Sequence, residues 1–176
     1  MREDDERTTD EEMARVAVHE LARRAPDEAM QRLGVRDLRP RRPRILLAED
    51  DDELRELLAQ SLREYGYDVT EARDGTELWA FASWSIASQG SGRAVDMVVT
   101  DVRMPGATGI EVLDELRRMD ARVRAIVITG AGDERTTAEA HRVGAEVVFD
   151  KPFQVDDLLI AVLTLLPPPD DAVRAA

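Results

Sequence analysis

The sequence predicts an α/β domain built as a doubly wound parallel sheet. From Ile45 onward, short apolar runs alternate with stretches of helical periodicity, and the alternation repeats five times. Several of the runs are apolar throughout. A strand covered by helices on both faces has no solvent side, so it loses the alternation of a half-exposed strand.

In chain order the expected strands are "ILLA" (45–48), "YDVTEA" (67–72), "DMVVT" (96–100), "RAIVIT" (124–129) and "EVVF" (146–149). Helices are expected over 52–65, 75–88, 109–119, 133–143 and 155–166. The first helix follows "EDDD", where Asp51 or Asp52 is placed to cap it. The second carries Trp79, Phe81 and Trp84: Trp79 is expected in the core, and Trp84 either under the following loop "SQGSGR" or against a partner. The fourth carries His141, expected on its partly exposed face. After Leu166, "PPPDDAVRAA" cannot continue a helix, and 167–176 reads as a loose tail.

Ahead of the domain, residues 1–12 hold seven acids and nothing to bury, the composition of a disordered tail. Residues 13–35 space Met13, Val16, Ala17, Leu21, Met30 and Leu33 for short amphipathic helices. Residues 36–44, "RDLRPRRPR", read as a basic linker broken by prolines. The α/β domain itself is expected over 45–166. His19 reads as a surface or packing histidine, because one short helix cannot build a four-helix phosphotransfer site.

Composition narrows the function classes. With 176 residues, 43% of them hydrophobic, the chain supports one ordinary core. A formal charge of −13 disfavours non-specific attraction to nucleic acid or to an anionic membrane. The absence of cysteine excludes disulfides, thiol catalysis and thiolate zinc sites. No apolar run approaches membrane-spanning length, and a cytoplasmic location is expected.

In open parallel sheets ligands bind beyond the carboxyl ends of the strands. Glu49 and Asp50 follow the first strand, Asp101 the third, Thr129 ends the fourth, and Lys151 follows the fifth. Lys151 is the one lysine among 24 basic residues, the other 23 being arginine. Clustered carboxylates need a cation among them, and oxygen-only donors point to a hard ion such as Mg²⁺. Such a rim has the layout of a phosphoryl-transfer site, in which one carboxylate attacks phosphorus while the ammonium and hydroxyl bind the transferring oxygens. Each residue also has a plain reading. Acids after a strand cap helices, a threonine at a strand end fits β propensity, and Lys-Pro is a turn.

The stretches "ILLAEDDDELRELLAQSLREYGYDVTEARDGTELW", "DMVVTDVRMPGATGIEVLDELR" and "RAIVITGAGDERTTAEAHRVGAEVVFDKPF" resemble the receiver domain of two-component response regulators, the CheY-like superfamily, over about Pro43 to Leu166. The resemblance implies a (βα)5 flavodoxin-like fold with strand order 2-1-3-4-5. It implies that Asp101 is the phosphoacceptor, that Glu49 and Asp50 hold Mg²⁺ together with Asp101, and that Arg103 adds a backbone carbonyl. Thr129 matches the switch hydroxyl and Lys151 the lysine that pairs with the phosphoryl group, with Lys151-Pro152 cis. Met104, Pro105, Gly106 and Gly109 shape the loop after the acceptor. Two positions depart from the pattern: Glu49 stands where Asp is commoner, and Val148 where many receivers have an aromatic that swings inward. Phe149 is one residue late and faces the other way.

The implied function is that of a single-domain response regulator. It takes a phosphoryl group from a sensor histidine kinase or histidine phosphotransfer protein and signals to a downstream protein. It is not an enzyme for external substrates. The rivals are a DNA-binding transcriptional regulator acting through the N-terminal segment, a phosphorylation-independent interaction module, and a Mg²⁺-dependent phosphatase or phosphotransferase. DNA and membrane are not expected as partners.

Overall fold

The computed structural model describes residues 41–87, 94–119, 123–130 and 134–168. The tail 1–12, the helical extension 13–35 with His19, most of the linker, the loop "SQGSGR" and residues 169–176 lie outside the described residues. The elements are β1 (Arg44–Ala48), α1 (Asp52–Glu64), β2 (Asp68–Ala72), α2 (Gly75–Ala87), β3 (Met97–Asp101), α3 (Gly109–Met119), β4 (Arg124–Thr129), α4 (Glu134–Arg142), β5 (Val147–Asp150) and α5 (Val155–Leu165). All five strands are parallel, in the order β2-β1-β3-β4-β5. This is the flavodoxin-like arrangement expected from the sequence.

Side chains leave each strand alternately, and the core divides accordingly. Ile45, Leu47, Met97, Val99, Ile126 and Ile128 pack with Leu58 and Leu62 of α1 and Leu158 and Val162 of α5. Leu46, Ala48, Val98, Ala125 and Val127 pack with Leu78 of α2, Leu113 and Leu116 of α3 and Ala140 of α4. The uninterrupted apolar runs in β1, β3 and β4 follow from burial on both faces. At about 25 cal/mol per Å², each fully buried leucine or isoleucine contributes roughly 2 kcal/mol.

Boundaries differ from the sequence reading by a residue or so, which is the usual behaviour of element ends. One difference bears on the site. Asp101 closes β3 as its last paired residue, opposite Ile128 of β4, so the strand itself fixes it. Gly109, at the end of the acceptor loop, is the first residue of α3, as the helix expected over 109–119 places it. Arg44, assigned by sequence to the linker, begins β1.

Trp79 corrects an expectation. The sequence places it in the core, yet it is 39% exposed. Leu78, Ala82 and Ser85 occupy the buried side of α2, and one residue further along a helix turns a side chain by about 100°, off that side. Phe81 and Trp84 are exposed as well. His141 is exposed on α4, as expected, with its Nδ1 2.9 Å from the Ala145 carbonyl.

Candidate functional site

The strand order reverses between β1 and β3, which places a crevice at their carboxyl ends. Glu49 leaves β1 into that crevice with no exposure, its N–H donating to the Ala72 carbonyl of β2 at 3.1 Å. Asp51 then caps α1, accepting from the Leu54 N–H at 3.0 Å, so the chain turns at once from strand to helix. That tight turn holds Asp50 beside Glu49. Asp50 is exposed, yet one carboxylate oxygen each from Glu49, Asp50 and Asp101 lie within 4.8 Å of one another.

Asp101 is 4% exposed and enters from β3. Its Oδ1 accepts the Arg103 N–H at 2.8 Å, which orients the carboxylate; Arg103 itself is exposed. Gly109 lets α3 come close behind the acceptor: a Cβ there would lie 2.2 Å from the Asp101 carbonyl and 2.5 Å from the Thr100 hydroxyl. On the other flank, the Gly75 N–H of α2 donates to the Pro105 carbonyl at 3.0 Å. Met104 is buried beneath the loop.

Lys151 closes the rim from β5. Its ammonium donates to both oxygens of Glu49 at 2.8 Å and to Asp101 Oδ2 at 2.5 Å. The Lys151-Pro152 bond is cis. The Lys151 N–H donates to the Thr129 carbonyl at 2.8 Å, and Thr129 is fully buried at the end of β4. Glu49, Asp50, Asp101, Thr129 and Lys151 are therefore brought to one end of the sheet by four strands. The plain reading of Lys151 as an ordinary turn residue does not fit this pairing, and the helix cap after β1 is Asp51 rather than the buried Glu49.

Burial pushes the Glu49 carboxyl above the ordinary glutamate range; the hydrogen bond from Lys151 pulls the other way, and the nearby Asp101 charge adds to the rise. For Lys151, burial alone would lower the ammonium, but hydrogen bonds to Asp101 and Glu49, with their charges, outweigh it and raise it. Three carboxylates and one ammonium leave two net negative charges at the rim when all are ionised. The donor set is oxygen-only, which fits a small hard dication.

Val148 packs against the core face shared by α2, α3 and α4. Phe149 packs on the opposite face, with its ring centroid 5.6 Å from that of Phe153. The one-residue offset thus separates the aromatic from the side on which Val148 lies.

The family model for the response regulator receiver domain matches residues 45–163. The chain belongs to that family. This receiver domain is 39% identical over 116 residues to transcriptional regulatory protein FixJ of Azorhizobium caulinodans, covering 65% of this chain and 50% of FixJ. Sporulation initiation phosphotransferase F of Bacillus subtilis is 30% identical over 124 residues, with 70% of this chain and 94% of that protein covered. The C4-dicarboxylate transport transcriptional regulatory protein DctD of Pseudomonas aeruginosa is 37% identical over 120 residues, which span 24% of it. The chain thus spans half or less of the two transcriptional regulators. Among solved structures, the Francisella response regulator 1452 receiver domain superposes with a TM-score of 0.60 at 27% identity, covering 76% of this chain and 99% of that one. A CheY-like receiver from Methanospirillum hungatei JF-1 superposes with a TM-score of 0.62 at 23% identity, covering 77% and 100%, and attests the fold.

Sequence reading did not find Arg55. It lies in the second turn of α1, donates from Nη1 to the Glu49 carbonyl at 2.9 Å, and also pairs with Asp52. An arginine six residues after the acid carries no spacing signal, because the contact depends on how α1 folds back over the end of β1.

Proposed function

We propose that this receiver domain works as a single-domain response regulator whose phosphoacceptor is Asp101. The observation that carries the reading is the Lys151 ammonium bridging the carboxylates of Glu49 and Asp101, with Asp50 alongside, at the crevice where the strand order reverses. The donor is a phosphohistidine on a sensor kinase or phosphotransfer protein, as for the family. An Asp101 oxygen attacks phosphorus, the phosphorus–nitrogen bond breaks, and its electron pair leaves with the imidazole. The acceptor is prepared for this by the Arg103 N–H, which holds one oxygen and leaves the other with Lys151.

Glu49, Asp50 and Asp101, with the Arg103 carbonyl, would hold Mg²⁺. When bound, the ion neutralises charge on the transferring oxygens. Lys151 then has a second role: the ammonium that spans Glu49 and Asp101 is within reach of a phosphoryl oxygen on Asp101, and the Thr129 hydroxyl supplies a neutral donor from the next strand. The resulting change alters a protein-binding face. The chain catalyses only its own phosphorylation and dephosphorylation, in a cytoplasmic setting.

The single-domain reading draws support from the sporulation phosphotransferase, nearly all of which is covered by the alignment. The names of FixJ and DctD connect those proteins with transcription, but the matched parts span only half and a quarter of them.

Intact-mass spectrometry after incubation with a small acyl phosphate tests the proposal. The wild type is expected to gain one phosphoryl group when Mg²⁺ is present and none when it is chelated. Asp101→Asn is expected to gain none. Equal labelling of Asp101→Asn, or no labelling of the wild type, refutes the assignment.

A further inference from the structure

Arg55 is the charged group built most deeply into the support of the acidic rim. Its side chain is only 12% exposed, although it carries a permanent charge. The fork is spent on three elements at once. Nη1 donates to the Glu49 carbonyl at the end of β1 at 2.9 Å, Nη2 pairs with Asp52 in the first turn of α1, and Nε lies 3.6 Å from Glu71 Oε2 on β2. Glu71 is held in turn by Arg63 Nη2 at 2.8 Å.

The carbonyl that Arg55 grips belongs to the peptide joining Glu49 to Asp50. The preceding amide, the Glu49 N–H, is already fixed by the Ala72 carbonyl at 3.1 Å. With both peptide groups around Glu49 anchored, the backbone of Glu49 is held on both sides and Asp50 is held at the peptide that precedes it. The Glu49 carboxylate is then aimed at Lys151 and also accepts from the Asp51 N–H at 3.3 Å. Lysine has one donor centre and cannot serve the carbonyl, Asp52 and Glu71 together.

We infer that Arg55 is a positioning residue for the cation site: by clamping the Glu49–Asp50 peptide it holds these two carboxylates in register with Asp101. This inference rests on the reading that the rim takes Mg²⁺. It also makes an opposite prediction to simple electrostatics. A nearby positive charge repels Mg²⁺, so an arginine that acted only through charge would weaken binding, and its removal would tighten it. A clamp acts the other way.

The test is isothermal titration of the full-length, unphosphorylated protein with Mg²⁺ alone, for wild type, Arg55→Lys, Arg55→Ala and Arg63→Ala. Arg55→Lys keeps the charge and loses the fork, and its Mg²⁺ affinity is expected to fall about tenfold, as for other groups that orient a metal ligand. Arg63→Ala loosens the same Glu71 network without touching Glu49, and it is expected to bind Mg²⁺ within about twofold of wild type whatever its melting temperature. Unchanged affinity in folded Arg55→Lys, or tighter binding in Arg55→Ala, overturns the clamp and leaves the Mg²⁺ reading standing. A wild type that binds no Mg²⁺ overturns both. Should Arg55→Ala not fold, Arg55→Lys against Arg63→Ala still decides.

Discussion

At Lys151, charge and shape are tied together in one side chain. A single nitrogen sits 2.8 Å from both Glu49 oxygens and 2.5 Å from Asp101, a spacing that a compact ammonium meets and a planar guanidinium does not. Lys151→Arg is therefore expected to keep the fold and the charge yet lose the phosphorylation-induced change, read as amide shifts around Thr129 by NMR. Lys151→Met removes the cation altogether and leaves two buried carboxylates face to face. At neutral pH it is expected to lose about 2 kcal/mol of stability. The sign with pH follows from Glu49, whose pKa is already raised by burial and loses the partner that pulled it down. The penalty is present above the folded Glu49 pKa and is relieved as pH falls through it, and added Mg²⁺ should relieve it as well. Denaturant titrations across acid pH, with and without Mg²⁺, check this; a pH-independent deficit would contradict it. The acids and the lysine were legible from their places after strands. Arg55 was not, because its role lies in a backbone carbonyl that only the fold brings near it.

The first turn of α2 and the acceptor loop are packed without clearance at the scale of elements. A Cβ on Gly75 would lie 1.7 Å from the Ala107 carbonyl, a backbone atom that cannot step aside. Gly75→Ala is expected to cost at least about 1–3 kcal/mol and to slow Asp101 phosphorylation by shifting the loop. Thermal melts and phosphorylation rates measure the two effects, and an unchanged melt would show the contact to be soft. At the other helix entering the rim, Asp51→Ala removes the cap of α1 and is expected to cost about 1 kcal/mol. A larger loss of Mg²⁺ affinity than of stability would show that the cap also supports Asp50. The identities of these helices were readable from periodicity. Which way α2 turns its aromatic residues was not: Leu78, Ala82 and Ser85 fill the inward side, so Trp79, one residue off that side, is left 39% exposed. The offset between Val148 and Phe149 was readable, because a strand's period of two admits only one outcome for a shift of one residue.

For the whole molecule, Tyr67 ties the end of α5 to the sheet. It is 1% exposed, and its hydroxyl donates to the Leu166 carbonyl at 2.6 Å, just past α5. Burial pushes its pKa up to about 12 from an ordinary 10.0. The folded state thus holds this proton more tightly than the unfolded chain, so the associated stability is complete below pH 10 and is lost as pH rises toward about 12. Lys151, also raised, adds to the alkaline loss above its ordinary 10.5. Tyr67→Phe is expected to cost about 1 kcal/mol at neutral pH and to flatten the alkaline slope, as measured by denaturation midpoints against pH. An unaltered slope would place the titrating group elsewhere. The layered α/β architecture, the strand order through its family pattern, and the five rim residues are legible in the linear chain, because hydrophobic period and position after a strand are local properties. The tertiary structure decided what those residues do to one another: the bridging ammonium, the clamp on the Glu49–Asp50 peptide, the close packing of α2 on the acceptor loop and the anchoring of α5. All but the Arg55 clamp join segments far apart in the chain, and the distances that set their energies exist only once the sheet has formed.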